Sequence, residues 1–391
     1  MTGIRPLEGL VVADFSRVLA GPLCTMTLAD LGATVIKVER PETGDDTRSW
    51  GPPFSATGAT YFESVNRNKQ SIALDLQDPA DAAIARDLAL RADILVENFL
   101  TGGMEKLGLG YTQLSEQNPG LIYASVTGFG SAAGAQLPGY DFIVQALGGL
   151  MSITGAPEGE PMKAGVALVD VLTAKDATIA ILAAVRHREQ TGSGTHIEVN
   201  LLSSLQGALV NQGQAYLGAQ SVAQRMGNEH PSIVPYQLLD AADGPVAVAC
   251  GNDRQFARLC AELGAPELAL DTKFATNTQR VAHRRELVDL LEGLLQSDTA
   301  ANWQHRLTAV GVPAGKVANI AEGLAFADSL GLDPVMDVLD ADGGIVGRQV
   351  RHPATWSPPL DSPRLAPPKL GEHNQAVRSW LAAQTEDVGR G

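Results

Sequence analysis

Asp170 is the residue whose setting offers the clearest chemistry. It lies in the stretch Gly165-Val166-Ala167-Leu168-Val169-Asp170-Val171-Leu172-Thr173-Ala174-Lys175-Asp176. An apolar run of strand or loop character precedes it. A helix is expected from about Thr173 to Gln190, with Gly192 as its stop. Ala177, Ile179, Ile181, Leu182, Ala184 and Val185 make this helix apolar on nearly every side, so deep burial is expected. Asp170 then sits one turn or less ahead of a buried helix start. Unpaired backbone N–H groups and the helix dipole there favour an ionised carboxylate. Such a carboxylate beside a concave site can be a nucleophile. The competing role is structural, with Asp170 or Thr173 capping the helix.

The rest of the chain must position that residue. Its 391 residues exceed one typical domain, and 45% hydrophobic content with 41 Gly and 22 Pro fits a two-domain α/β protein rich in turns. A net charge of −15 argues against nucleic-acid and membrane-surface partners. A phosphorylated ligand would need a local basic pocket. Arg17, Lys37, Arg40, Arg48, Arg67 and Lys69 could build one or could simply face solvent. Cys24, Cys250 and Cys260 have no zinc or disulfide spacing, which fits a reducing cytosol. No two histidines have metal-ligand spacing, so no metal is expected. The first residues lack a signal-peptide core, and the apolar run Ala177–Val185 is too short to span a bilayer. A cytoplasmic protein is expected.

Along the chain, strand Leu10–Phe15, the turn Ser16–Pro22, a helix Leu23–Leu31 and strand Thr34–Glu39 read as a βαβ unit, hence a parallel sheet. The first turn of such a unit is a ligand site, but it lacks the GxGxxG fingerprint of nicotinamide binders. Gly128-Phe129-Gly130-Ser131-Ala132-Ala133-Gly134 imitates that fingerprint with its last glycine one residue late. Further strands are expected within Asn66–Leu76, at Ile94–Phe99, at Leu121–Val126 and at Thr195–Asn200, with a helix from Asp78-Pro79 to Arg91 and another from Ser203 to Tyr216. After about Gln220 the character changes. Residues 221–330 read as a smaller α+β domain after a large domain over 1–220, with 331–391 as a C-terminal segment.

Asp14-Phe15-Ser16-Arg17-Val18-Leu19-Ala20-Gly21-Pro22, Val35-Ile36-Lys37-Val38-Glu39-Arg40, Asn66-Arg67-Asn68-Lys69-Gln70-Ser71, Glu97-Asn98-Phe99, Asp170 and Leu370-Gly371-Glu372-His373 occur here in one order and spacing. Together they resemble the class III coenzyme A transferases, the family that also holds the α-methylacyl-CoA racemases. The resemblance runs from Leu7 to about Leu381. It implies a doubly wound parallel-sheet large domain made from both chain ends, a smaller α+β domain and an interlocked homodimer. It also implies acyl-CoA as substrate and no resident cofactor. Asp170 would attack the thioester of a donor acyl-CoA. The mixed anhydride would then pass to an aspartyl-CoA thioester, which an acceptor carboxylate resolves.

By the same resemblance Val18, Arg40, Leu74, Asn98, Phe99, Lys106 and Leu107 contact CoA, with Arg17 as a further candidate. Arg40 and Lys106 suit phosphates. Trp50, Tyr140 and Asp141 match or are similar to acyl-site residues of the oxalate branch. Gln77 and Leu19 depart from that branch's lysine and glutamine, so oxalate or formate is not expected. The racemase branch needs a histidine after the glycine of Gly139-Tyr140-Asp141. Tyrosine, with an ordinary pKa of about 10, is a poor base at neutral pH. Gly227–Tyr236 and Cys250–Phe256 resemble the branch that uses succinyl-CoA and small dicarboxylates. Gly227, His230 and Arg254 are therefore substrate-site candidates, the last two for the far carboxylate. Turns at Gly21, Gly139 and Gly227 are candidates for the N–H donors that an oxyanion needs.

Overall fold

The computed structural model describes residues 3–388. Its chain divides into two compact units. The larger takes the chain through Leu150, Lys163–Ser221 and the chain from Asp333 on; the smaller takes Met151–Met162 and Val222–Leu332.

In the larger unit, strands β1 (Val11–Asp14), β2 (Thr34–Glu39), β3 (Lys69–Ala73), β4 (Ile94–Glu97), β5 (Ile122–Thr127) and β6 (Thr195–Asn200) form one sheet. Their order is β3-β2-β1-β4-β5-β6, with every neighbouring pair parallel. The chain winds outward in both directions from β1, so the connections after β1 and β4 leave on opposite faces and open a crevice at the strands' carboxyl ends. Alternate strand residues feed two cores. Val12, Val35, Ile94 and Val96 pack on helices Ala20–Asp30 and Leu168–Thr191, while Ala13, Ile36, Leu95 and Tyr123 pack on helix Pro79–Arg91 and the C-terminal helix.

Several expected boundaries move. The first helix begins at Ala20, three residues early, because Pro22 falls in the first turn, where its missing N–H is an orphan anyway. The stretch Ser203–Tyr216 is two helices, Leu201–Ala208 and Val210–Ala219, broken where Val210 takes a φ of 33°. The helix carrying Asp170 starts at Leu168 and runs 24 residues to Thr191, ending on Gly192 at φ 75° as expected. Within the single chain its burial is one-sided. Val169, Thr173, Ala177, Ile181 and Ala184 form one buried stripe, whereas Ile179 is 65% exposed.

The early basic residues are mostly neither a surface nor a phosphate pocket. Lys69 Nζ bonds Asp14 Oδ2 at 3.0 Å, and Lys37 bonds Asp45 Oδ2 at 2.9 Å, all four side chains fully buried. Arg67 pairs with Asp30, and Arg48 with Glu39. Burial alone would raise Asp14; the Lys69 and Lys37 ammonium groups reverse this and hold it at about 2. Removing one partner of such a pair strands the other charge away from water. Lys69→Met is therefore expected to lose about 3–5 kcal/mol of stability, read as a lower urea midpoint at pH 7. An unchanged midpoint would show that the pair adds nothing to the fold.

The Leu370–His373 stretch is also structural. Gly371 N–H donates to Ser71 Oγ at 3.0 Å, His373 N–H to Ser71 O at 2.9 Å, and Ser71 N–H to His373 Nδ1 at 3.2 Å. These bonds clip the C-terminal segment onto β3, the outer strand, and cover an edge that would otherwise be open.

The smaller unit holds a three-stranded antiparallel sheet of β7 (Tyr236–Ala241), β8 (Gly244–Ala249) and β9 (Ala314–Lys316). Phe256, Leu287, Leu291 and Trp303 fill its own core. Among the described residues no helix is long and apolar enough to cross a membrane.

Candidate active site

The crevice is shaped by what happens after β1 and β4. Asn98, one residue past β4, grips the chain beyond β1 with both ends of its amide. Its Oδ1 accepts from Arg17 N–H at 2.9 Å and its Nδ2 donates to Arg17 O at 2.8 Å. Glu97 Oε2 accepts from Phe99 N–H at 2.8 Å. Burial, the largest influence, raises Glu97 to about 7 against the pull of the Ser125 hydroxyl and that N–H. Val18 is held at φ 71°, a conformation that its branched side chain disfavours.

Two adjoining hollows result, both within the larger unit. One, of about 120 Å³, has Arg17, Val18, Leu19, Phe99, Tyr140 and Asp170 among its walls. The other, of about 610 Å³, runs over the ends of β2 and β3 and has Arg17, Arg40, Leu74, Gln77, Phe99 and Leu107 on its walls. Arg17 and Phe99 line both, with the guanidinium carbon 5.8 Å from the ring centroid. Arg17 and Arg40 converge on Asp46 from the rim. A ligand with an anionic end over Arg40 and a reactive end at Asp170 would pass between them.

Asp170 is not ahead of its helix but in the first turn, and neither it nor Thr173 is the cap. Asp141, at the start of helix Asp141–Leu147, supplies that function. Its Oδ1 accepts from Val169 N–H at 2.7 Å and Asp170 N–H at 3.3 Å. Gln145, fully buried, donates from Nε2 to Asp141 Oδ2 at 2.6 Å and accepts from Ala164 N–H at 2.8 Å. The expected effect on Asp170 is thereby inverted. Burial first, and then the Asp141 charge, raise its carboxyl to about 7 rather than holding it ionised. The cap has consumed the N–H groups that would have favoured the anion.

Tyr61 joins this group without any signal in the sequence. Burial and then the charges of Asp170 and Asp141 push its hydroxyl up to about 12, so it remains a proton donor. Trp50 packs edge-on against it at 5.1 Å between centroids.

Of the sequence candidates, Arg17, Val18, Leu19, Asn98, Phe99, Tyr140 and Asp170 meet in the smaller hollow, and Arg40, Leu74 and Leu107 in the larger. Asp141 bonds the Asp170 backbone, and Trp50 reaches the group through Tyr61. Lys106 ends the short helix before Leu107 and is on the wall of neither hollow. Gly227, His230 and Arg254 belong to the smaller unit. There His230 O accepts from Arg284 at 2.7 Å and its Nδ1 accepts from Ser232 N–H at 3.0 Å, which orders its own loop. Among the glycine turns, Gly139 lines the hollow with Asp170. A Cβ on it would come 2.4 Å from the Gly128 Cα, so two loop backbones cross there. At Gly21 the constraint is packing, since a Cβ would meet the Ser16 side chain at 2.3 Å.

The sequence profile described as CoA-transferase family III matches residues 7–374. The chain is 42% identical to a Homo sapiens protein named succinyl-CoA:glutarate CoA-transferase, over 96% of this chain and 86% of that one. It is 45% identical to the succinate–glutarate CoA-transferase of Agrobacterium fabrum, over 96% of each. It is also similar to the crystal structure of a CaiB/BaiF family protein from Brucella suis, with a TM-score of 0.87 and 43% identity, covering 97% of this chain and all of that one. The chain belongs to CoA-transferase family III and is a CoA-transferase.

Proposed function

We propose that this enzyme moves CoA from succinyl-CoA to a small dicarboxylic acid, with Asp170 as nucleophile. The observation that carries the reading is the position of the half-buried Asp170 carboxyl on the wall of a hollow that shares Arg17 and Phe99 with a groove rimmed by Arg40. The names of the human and Agrobacterium relatives support the donor and the acceptor class.

In this mechanism the Asp170 carboxylate attacks the thioester carbonyl. The C–S bond breaks, and CoA leaves as thiolate. The thiolate then attacks the Asp170 carbonyl of the mixed anhydride, releases succinate and leaves an aspartyl-CoA thioester. The acceptor carboxylate attacks that thioester, and the two steps run in reverse. The activated acyl bond is never lost to water, so no external energy source is needed. Backbone N–H groups near Gly139 and the Tyr61 hydroxyl are the donors proposed for the oxyanions. Arg17 and Arg40 bind phosphate oxygens, Val18, Leu74, Asn98, Phe99 and Leu107 line the CoA path, and Lys106, next to Leu107 in the chain, is a further phosphate candidate. His230 and Arg254 remain the candidates for the far carboxylate, with Gly227 in the loop that carries His230. CoA is a substrate here and not a resident cofactor.

We place the enzyme in the cytoplasm as a homodimer, interlocked as the resemblance implies. Leu147, Ile179, Val210 and Leu217 are 65–73% exposed on the larger unit, an apolar surface of the kind that a second chain covers.

Incubation with succinyl-CoA alone, a hydroxylamine quench and peptide mapping test the reading. A hydroxamate on the Asp170 peptide is expected; an unmodified peptide with CoA still bound would refute the covalent route. Acceptor choice gives a second test. Leu19 offers no hydrogen bond beside Asp170, so an oxalate carboxylate there would stay unpaired. Glutarate is expected to exceed oxalate in kcat/KM by about 10-fold or more. Equal values would remove Leu19 as a determinant.

A further inference from the structure

The turn Ser16–Leu19 carries a strained residue held by buried charge. Val18 has φ 71°, a left-handed conformation that costs a β-branched residue about 1–3 kcal/mol unless its surroundings enforce it. Its N–H lies 3.3 Å from both Asp45 carboxylate oxygens. Asp45 Oδ1 also accepts from the Thr47 N–H at 3.0 Å and hydroxyl at 2.8 Å. Asp45 Oδ2 pairs with Lys37 at 2.9 Å, and Lys37 Nζ donates to Ser16 O at 2.7 Å. One ammonium thus fixes the peptide group before Arg17 directly and the one after it through Asp45.

Both groups stay charged. Burial opposes the charge on Lys37, but Asp14 and Asp45 raise it above its usual value; burial likewise opposes ionisation of Asp45, and Lys37 and the Thr47 N–H lower it below the usual range. The arrangement is out of proportion to holding one loop. Two fully buried ions are kept where Val18 enters the hollow that contains Asp170, and where Arg17 turns to line both hollows.

We propose that Lys37 and Asp45 are positioning residues for acyl-CoA: they hold Val18 in a strained left-handed turn so that the Arg17–Val18 wall is set for CoA before it arrives. A preset wall avoids the ordering cost of binding. The inference rests on the reading of the groove as the CoA path.

The test is a double-mutant cycle of Asp45→Asn and Val18→Gly, read by CoA affinity in calorimetry and by KM for succinyl-CoA. Glycine takes φ 71° without strain, so it does not need the clamp. Asp45→Asn in the otherwise native chain is expected to weaken CoA binding and raise KM about 10-fold, with kcat within about threefold. The same change made in the Val18→Gly background is expected to alter either quantity less than about threefold relative to Val18→Gly itself. Lys37 and Asp45 also line the larger hollow, so equal losses in the two backgrounds would overturn the proposal and show that Asp45 acts independently of Val18. If Asp45→Asn is poorly folded, Lys37→Arg, which keeps the charge, replaces it in the same cycle with the same criterion. Hydrogen exchange at the Val18 amide reads the clamp without reference to activity: protection in the native chain should fall at least about 10-fold in Asp45→Asn, and unchanged protection refutes it. If the native protein binds no CoA, the reading of the groove fails, while the Val18 amide still decides whether the clamp exists.

Discussion

Asp170→Ala is expected to lower succinyl-CoA-dependent exchange by about 10³-fold or more. The proposed route passes every acyl group and every CoA through bonds to this one carboxyl. Without it the acceptor must attack succinyl-CoA directly, and the thiolate must then attack the acceptor side of a free anhydride, unanchored and open to water. What remains is positioning by the groove. The loss should fall on kcat, because Arg17, Arg40 and the CoA path are untouched. Two measurements separate this from a general defect. The native enzyme should release free CoA thiol to 5,5′-dithiobis-type reagents only transiently, and hydroxylamine should divert it at Asp170; the variant should do neither. CoA affinity by calorimetry should stay within about threefold of the native value. A variant that exchanges acyl groups at more than about a tenth of the native rate would exclude Asp170 as nucleophile.

The fold was largely legible because its signals are local. Apolar runs at Val11–Asp14, Thr34–Glu39, Ile94–Glu97 and Thr195–Asn200, spaced by helix-length segments, lead to a parallel sheet, and Asp78-Pro79 marks a helix start that the structure has at Pro79, with Asp78 accepting from Ala80 and Asp81 N–H. What stayed hidden depends on residues far apart in the chain. Lys37 and Lys69 read as basic surface or ligand contacts until Asp14 and Asp45 are seen beside them inside the protein. The Asp170 helix read as buried all round because composition does not show which side the sheet covers; Ile179 lies on the uncovered side. The site divides in the same way. Asp170, Arg17 and Phe99 sit in sequence stretches that can be read one at a time. Tyr61 meets Asp170 across more than a hundred positions of sequence, with no motif of its own. The cap on the Asp170 helix comes from Asp141, 29 positions away, so the local rule that an aspartate at a helix start is capping and readily ionised missed both the cap and the upward shift of the carboxyl.

That protonation state sets the last expectation. With the Asp170 carboxyl raised to about 7, kcat/KM for succinyl-CoA should rise with pH and be half-maximal near 7, since only the carboxylate attacks. Glu97, also raised to about 7, could impose the same profile through Phe99, so the native curve alone does not assign it. Asp141→Asn does. It keeps an oxygen to accept from Val169 and Asp170 N–H but removes the like charge, so the half-maximal pH should move down, while Glu97→Gln should leave it in place. Burial is the larger cause and persists, so the value should stay above the usual carboxylate range. Stability must follow the same titration with opposite benefit. Below the unfolded pKa of 3.8 the proton is bound in both states; between there and about 7 the native state holds a proton that the unfolded state has released, so the stabilisation is lost as pH rises through about 7. A shift of this size corresponds to about 4 kcal/mol at most, and less with water access and local relaxation. Asp170→Asn cannot ionise. It should match the native protein in urea unfolding near pH 4 and exceed it by about 2–4 kcal/mol above pH 7, with the Glu97 titration common to both and cancelling in the difference. A difference that stays flat from pH 4 to 8 would mean that Asp170 is ionised throughout, and would remove the link between its burial and its reactivity. If the difference opens as expected, the group proposed to carry the reaction is also one that weakens the fold at working pH, and the enzyme keeps a charge in an unfavourable place because a less solvated carboxylate is the better nucleophile.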